Sequence, residues 1–312
     1  MQQVALVAGE SLVDVVRSRD GSVSTRAGGS AANVAVALAR LDRPVRFATS
    51  FAADDAGALV ADHLRSAGVV LAGDPHVVDR TSVARASIGE DGAAAYEFAI
   101  DWRLAEDPAA LAAPEGGAVV VVHACSYSAV LPPGAEQVGA VVRSLRDTAT
   151  ISYDVNARPA LTGTGPDVVA RIERLVALAD VVKASDEDLA ALYPGAPEAE
   201  AVARLLASGP AAVVVTRGAD GATAVTRGGV VDVPAVDRGL ADTIGAGDTF
   251  SAAILDALWE RDLLGAGARR ALHALAPDGW REVLRHAAAA AAVTVSRPGA
   301  DPPYRSELTA SR

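Results

Sequence analysis

One cysteine and one lysine in 312 residues set the first limits on this chain. A single Cys125 excludes an internal disulfide. It follows the apolar run Val119–Val122 and reads as a buried small hydrophobe. The five histidines are scattered, with no His-Glu-x-x-His and no Cys-x-x-Cys, so no zinc site is expected. Lys183 is the sole lysine; the other basic residues are arginine. That excludes a Walker-type Gly-Lys-Ser/Thr phosphate loop and the strand lysine of protein kinases. Bound phosphate must then be held by backbone N–H groups and arginine. No basic residue precedes the first apolar run, Val4–Ala8, and no uninterrupted apolar stretch reaches membrane length. The Ala287–Ala292 run is short and bracketed by Arg285 and Arg297. A cytoplasmic protein with no membrane partner is expected. Excess positive charge is also missing: the net charge is −11, which argues against general nucleic-acid binding.

What is present is a chain 51% hydrophobic, long enough for one large core over residues 1–312. Short apolar runs alternate with helical spacing. The candidate strands are Val4–Ala8, Val45–Thr49, Ala118–Val122, Thr150–Asp154, Val181–Lys183 and Ala212–Thr216. Between them, Asn33–Leu41, Asp54–Ala67, Gln137–Asp147, Asp167–Leu178 and Glu198–Ala207 have helical spacing. Asp54 reads as an N-cap and Gly68 as the glycine that ends its helix. This rhythm predicts an α/β fold, a mostly parallel sheet with helices on both faces, and ligands at the carboxyl ends of the strands. Two segments break it: Ser11–Arg17, and a hairpin of Thr81–Ile88 and Ala93–Ile100 around Glu90-Asp91-Gly92.

The most informative run is Asp242-Thr243-Ile244-Gly245-Ala246-Gly247-Asp248, followed by Thr249 and Phe250. Small residues stand where a loop becomes a helix, and Thr249–Trp259 reads as apolar on one face. Unpaired N–H groups at such a helix start suit an anion, helped by the helix dipole. Asp248 can accept a proton from an attacking hydroxyl, and Asp242 could face a cation. These are parts of a phosphoryl-transfer site. Alone, Gly-Ala-Gly-Asp can equally be a capped helix start. A second run, Ala27-Gly28-Gly29-Ser30-Ala31-Ala32-Asn33-Val34-Ala35, pairs glycines that admit a ligand with an asparagine that suits a sugar hydroxyl; alone it reads first as a small-residue helix-packing contact.

The two runs, in this order, resemble the paired signatures of the ribokinase-like sugar kinases, the phosphofructokinase B family. The likeness extends from Gly9-Glu10 to Arg297-Pro298-Gly299-Ala300-Asp301-Pro302-Pro303. Within the family it is similar to the bacterial fructokinases, through Gly9-Glu10-Ser11-Leu12-Val13-Asp14, Tyr153-Asp154-Val155-Asn156-Ala157-Arg158-Pro159 and the C-terminal Arg-Pro-Gly-Ala. The resemblance implies a three-layer α/β/α sandwich. The Ser11–Arg17 segment and the hairpin would form a small β lid over the sugar, about residues 11–17 and 81–101.

It also implies transfer of the γ-phosphate of Mg-ATP to a sugar primary hydroxyl. By position, Asp248 is the base, Gly245, Ala246 and Gly247 form the anion turn, and Arg158 is a positive group near the transferred phosphate. An ion pair of Arg158 with Asp154 is its structural alternative. Asp14, Gly28, Gly29 and Asn33 would hold the sugar. Thr216, Gly218 and Gly221 resemble the nucleotide loop, with Arg217 replacing an apolar residue. Lys183, Ser185 and Asp188 align with a motif that organises magnesium and phosphate; there Ser185 stands for an asparagine and Asp188 for a glutamate, one methylene shorter, which implies contact with the ion through water rather than directly. Ser185 and Asp188 also read as an N-capped helix start. A potassium ion is expected against Asp242, Ile244 and the Thr294–Gly299 segment, although Pro303 replaces a serine. Fructose is the expected sugar. A 2-keto-3-deoxygluconate kinase, for which Arg85 or Arg103 could hold the carboxylate, and a catalytically silent sugar- or nucleotide-binding regulator are the alternatives. Pairing of lids in a homodimer would cover an apolar lid face.

Overall fold

The computed structural model describes residues 2–17, 21–88, 94–105, 110–111 and 117–309. In chain order the strands are β1 Gln3–Ala8, β2 Leu12–Arg17, β3 Val23–Gly28, β4 Val45–Ala48, β5 Val70–Leu71, β6 Val83–Ile88 and β7 Ala94–Ala99. They continue with β8 Ala118–Cys125, β9 Thr150–Asp154, β10 Val181–Ser185, β11 Ala212–Thr216, β12 Ala222–Thr226 and β13 Gly229–Val233. The larger sheet runs β13-β12-β11-β10-β9-β8-β1-β4-β5. From β11 to β5 every pairing is parallel, and β12 and β13 extend the sheet as an antiparallel hairpin.

Valine- and alanine-rich strands suit a sheet covered on both faces. Successive side chains leave a strand on opposite sides. Leu6 and Ala8 join a core with Val138 and Val141 of the Gly134–Leu145 helix and Ile172 of the Pro166–Val176 helix. Ala5 and Val7 join the opposite core with Val34 and Leu38 of the Ser30–Arg40 helix and Leu64 of the Asp55–Ser66 helix. Farther along, Val213 and Val215 point to the first face. Ala212 and Val214 pack instead with Trp280 and Val283 of the Pro277–Val295 helix. The result is the three-layer α/β/α arrangement expected. Asp54 caps its helix by accepting the Gly57 N–H at 2.7 Å, and Gly68 follows with φ 81°.

One helix departs from its expected pattern. Thr249–Trp259 reads from sequence as apolar on one face; in the Ala246–Trp259 helix every residue from Asp248 to Trp259 is buried. It is packed between the Ser30–Arg40 and Pro277–Val295 helices as well as against the sheet. Its start is therefore fixed rigidly at the sheet's carboxyl edge. No helix among the described residues is long and apolar enough to cross a membrane.

A second, four-stranded sheet runs β3-β2-β6-β7 and contains the expected lid segments. The Glu90-Asp91-Gly92 turn lies outside the described residues. β3 was not anticipated. It pairs antiparallel with β2, placing Arg26 opposite Asp14, while β6 pairs parallel with β2 and sets Ala84 beside Asp14 and Arg85 beside Val15. Cross-strand partners share a face. Val13, Val15 and Ala27 turn to the core under the Asp55–Ser66 helix; Asp14 and Arg26 therefore share the other face.

Candidate active site

The turn before the Ala246–Trp259 helix fixes the centre of the site. Gly245 has φ 75°, and a Cβ there would lie 2.6 Å from the Ala300 Cβ. Both facts demand glycine. The Ala246 N–H turns back to the Thr243 carbonyl at 3.3 Å, while the Gly247 and Asp248 N–H groups meet no backbone carbonyl among the described residues and suit an anion. Lys183 lies beneath: a Cβ on Gly247 would be 3.4 Å from its Nζ. That ammonium is buried and donates to both Asp154 oxygens, at 3.0 and 2.9 Å, while Ser251 of the helix donates to Asp154 at 2.9 Å. Burial opposes the lysine's charge, but Asp154 outweighs it and raises the pKa. Two of its three N–H groups go to Asp154, which holds the expected nucleotide-side lysine beneath the turn, where it lends positive potential. The Asp154–Arg158 pair considered from sequence is displaced by this one.

Asp248 sits in the first turn of the helix, 7% exposed. Ser30 Oγ donates to its Oδ1 at 2.6 Å and Asn33 Nδ2 to its Oδ2 at 2.8 Å. Burial raises its pKa, against those two hydrogen bonds. A buried carboxylate held only by neutral donors keeps basicity that an ion pair would remove.

On the lid side, a Cβ on Gly28 would strike the Asp14 carboxylate. Gly29, at φ 104°, passes so close to Glu10 that a Cβ would lie 2.9 Å from its carbonyl oxygen. The paired glycines therefore let Asp14 and Glu10 approach the start of the Ser30–Arg40 helix. Burial pushes the Asp14 carboxyl up to about 6, with Arg158 opposing the rise. Burial pushes Glu10 up to about 7. Its Oε1 accepts from the Ser30 N–H at 3.2 Å, and its Oε2 has no hydrogen-bond partner among the described residues. The sequence assigns Glu10 no role of its own; its one signal is an acid two residues past an apolar strand.

Arg158 is exposed at the end of the loop after β9, and its Nη1 donates to Asn156 Oδ1 at 2.6 Å. Its charge opposes the raised pKa values of Glu10, Asp14 and Asp248, so one guanidinium stands near all three carboxylates. Arg26 is a second cation on the Asp14 face. Its guanidinium occupies the space that a side chain on Gly299 would fill, and it makes no ion pair among the described residues. Arg103 pairs with Asp101 at 3.4 Å, and Arg85 is on the opposite lid face from Asp14, so neither converges with Asp14 as a carboxylate clamp would.

Ser185 and Asp188 form a capping box at the Asp186–Leu192 helix. Asp188 Oδ2 accepts from Ser185 N and its Oδ1 from Ala157 N, both at 2.7 Å. Each Asp188 oxygen thus accepts one backbone N–H and keeps a further lone pair that a water could use. Thr216 ends β11; Gly218 and Gly221 follow with φ 49° and 88° around a single 3-10 turn. Arg217 pairs with Glu198 and donates to Thr223 at 2.8 Å, which explains how it replaces an apolar residue there. Asp242 joins two loops: its Oδ1 accepts from Ile244 N at 3.0 Å and its Oδ2 from Gly299 N at 2.8 Å. Ile244 itself is exposed.

Glu10, Asp154, Ser185 and Thr216 end or follow parallel strands at their carboxyl ends, and β2 and β3 of the smaller sheet carry Asp14 and Arg26 beside that edge, as a ligand cleft in such a fold requires. The pfkB family carbohydrate kinase profile matches residues 3–307. A fructokinase of Rhizobium leguminosarum bv. trifolii is 32% identical over 265 residues, covering 83% of this chain and 81% of the relative. Among solved structures, a fructokinase from Xylella fastidiosa with bound ATP superposes with a TM-score of 0.83 at 27% identity, over 98% of this chain and 97% of that one. A fructokinase double mutant from Vibrio cholerae O395, bound to fructose, ADP and potassium ion, gives a TM-score of 0.80 at 26% identity, covering 99% and 98%. The anion turn, the carboxylate beside it, the lid and these likenesses agree: the chain belongs to the pfkB family of carbohydrate kinases and is an ATP-dependent sugar kinase.

Proposed function

We propose that the protein is a fructokinase. A primary hydroxyl of the sugar attacks the γ-phosphate of Mg-ATP in line, and Asp248 takes its proton. The observation that carries this is Asp248 itself, buried beside the anion turn with only neutral donors on its carboxylate. The transition state is loose, so orientation and the Gly245–Gly247 N–H groups supply most of the rate. Arg158 adds positive charge at the phosphate. Asp14 and Asn33 hold sugar hydroxyls, and the lid excludes water as a competing acceptor.

Thr216, Gly218 and Gly221 line the nucleotide side. No three His, Cys, Asp or Glu side chains cluster as a metal cage among the described residues. That donor set fits Mg2+ carried mainly by nucleotide phosphates and water, with Asp188 behind a water. When bound, the ion neutralises charge developing on the phosphates. Asp242, bridging the Ile244 and Gly299 loops, fits a potassium site behind the turn. The residues assigned to the sugar are neutral donors and one carboxylate, which suit fructose, the sugar named for the Vibrio relative.

A second reading, 2-keto-3-deoxygluconate kinase, is favoured by one observation: Arg26 shares the Asp14 face and is not ion-paired among the described residues. Purified protein assayed with ATP, Mg2+ and K+ against fructose, ribose, 2-keto-3-deoxygluconate and adenosine decides between them. Fructose is expected to give the highest kcat/KM. A higher value for 2-keto-3-deoxygluconate, lost in Arg26→Ala, would replace the fructokinase reading. No turnover with any acceptor would favour the silent regulator.

A further inference from the structure

We propose that Ser30 is a positioning residue, whose hydroxyl holds the Asp248 carboxylate in the orientation that receives the acceptor proton. The proposal rests on Asp248 being the base. Four segments distant in sequence converge on this serine. Its Oγ donates to Asp248 Oδ1 at 2.6 Å and accepts from Asn156 Nδ2 at 2.7 Å. Its backbone N–H donates to Glu10 Oε1 at 3.2 Å. The Cys125 sulfur lies 3.3 Å from the same hydroxyl. A serine has one proton to give, and a carboxylate at 2.6 Å takes it in preference to a thiol sulfur, a weak acceptor.

Seen from the phosphate side, the donors point one way. Arg158 Nη1 donates to Asn156 Oδ1, Asn156 Nδ2 to Ser30 Oγ, and Ser30 Oγ to Asp248 Oδ1. Such a chain polarises each successive bond. Asn156 has φ 36°, in the left-handed region that a non-glycine residue rarely holds without support. This conformation delivers its amide to Ser30. Glu10 fixes the serine from behind by accepting the first N–H of the Ser30–Arg40 helix, whose N-cap, Gly29, offers no side chain. Ser30 thus couples Arg158 to the base through Asn156.

The test compares Ser30→Ala and Ser30→Thr with wild type, using D-fructose and Mg-ATP. Loss of the donor should lower kcat about tenfold to a hundredfold, the range for a hydrogen bond to a charged group. KM for ATP should stay within about twofold. The acid limb of kcat should move to higher pH in Ser30→Ala, because the lost donor favoured the ionised carboxyl. The charged and titratable groups around Asp248 are Glu10, Cys125, Asp154, Arg158 and Lys183, all retained in the variant. Ser30→Thr should restore most of kcat and the wild-type limb. A crystal structure of Ser30→Ala should show the Asp248 carboxylate rotated. Unchanged kcat and limb would overturn the proposal, as would a loss of kcat with neither a shifted limb nor rescue by threonine. If wild type fails on fructose, the fructokinase reading falls, and the crystallographic comparison still decides the role of Ser30: an unrotated carboxylate rejects it.

Discussion

Asp248 makes no ion pair among the described residues, although Lys183 and Arg158 are both near. Lys183 is claimed by Asp154, and Arg158 by the backbone and side chain of its own loop. The carboxylate keeps its proton affinity while remaining oriented. Asp248→Asn should therefore lower kcat by about 10²–10⁴-fold, the usual contribution of a general base. Sugar binding by isothermal titration should persist; a variant with near-normal kcat would sink this role. Asp14 makes a separate statement about pH. Burial lifts its pKa to about 6, so it is ionised above that pH and neutral below. Only the ionised form accepts from two sugar hydroxyls without offering a proton of its own. KM for the sugar should rise as pH falls through about 6, with KM for ATP flat. In Asp14→Ala that dependence should vanish and sugar affinity should drop by roughly 1.5–3 kcal/mol. A sugar KM that is flat from pH 5 to 8 in wild type would place the sugar elsewhere.

At the scale of elements, the capping box links secondary structure to the site. Asp188 holds the start of its own helix through Ser185 and also the loop of Asn156 and Arg158 through Ala157. Asp188→Ala should cost roughly 1–2 kcal/mol in urea denaturation, as loss of a cap does, and should lower kcat by loosening that loop. A loss of stability with kcat intact would separate the cap from the chemistry. Thr150–Asp154 and Ala212–Thr216 were legible to the residue, the first because Ile151 and Tyr153 alternate with polar residues, the second because Val213–Val215 is an unbroken apolar run that ends at Thr216. β3 was not legible: Ser24, Thr25 and Arg26 are exposed and carry no hydrophobic alternation. The β12–β13 hairpin was missed because Ala-Thr-Ala-Val-Thr is weakly apolar and owes its place to pairing with β11. The anion turn and the paired glycines were legible because each is contiguous. The Glu10, Ser30, Asn156 and Asp248 cluster was not, since strand order alone brings those segments together.

For the whole molecule, two buried groups, one just past β1 and one on the neighbouring β8, bend the pH profile of stability in opposite directions. Glu10 follows β1, is buried, and has one oxygen without a partner among the described residues; burial pushes it up from 4.5 to about 7. Between those values the native state keeps a proton that the unfolded chain releases. Its stabilisation is full below about pH 4.5 and is lost as pH rises through 7. His123 on β8 is buried, with Nδ1 3.0 Å from Ser152 Oγ, and burial followed by the charge of Lys183 pushes it down from 6.5 to about 3. There the unfolded chain takes up a proton that the native state refuses, so stability falls as pH drops below 6.5. The two slopes oppose each other between about pH 4.5 and 6.5, and above 7 the cost of ionised Glu10 stands alone. Glu10→Gln removes that cost while its amide oxygen can still accept from the Ser30 N–H. The variant should match wild type near pH 4.5 and exceed it by roughly 3 kcal/mol at pH 8, the free-energy equivalent of the shift. Urea denaturation of both proteins at the two pH values measures it. An equal difference at both would mean that Glu10 ionises as an ordinary carboxyl, and that the cleft is wetter than its burial implies.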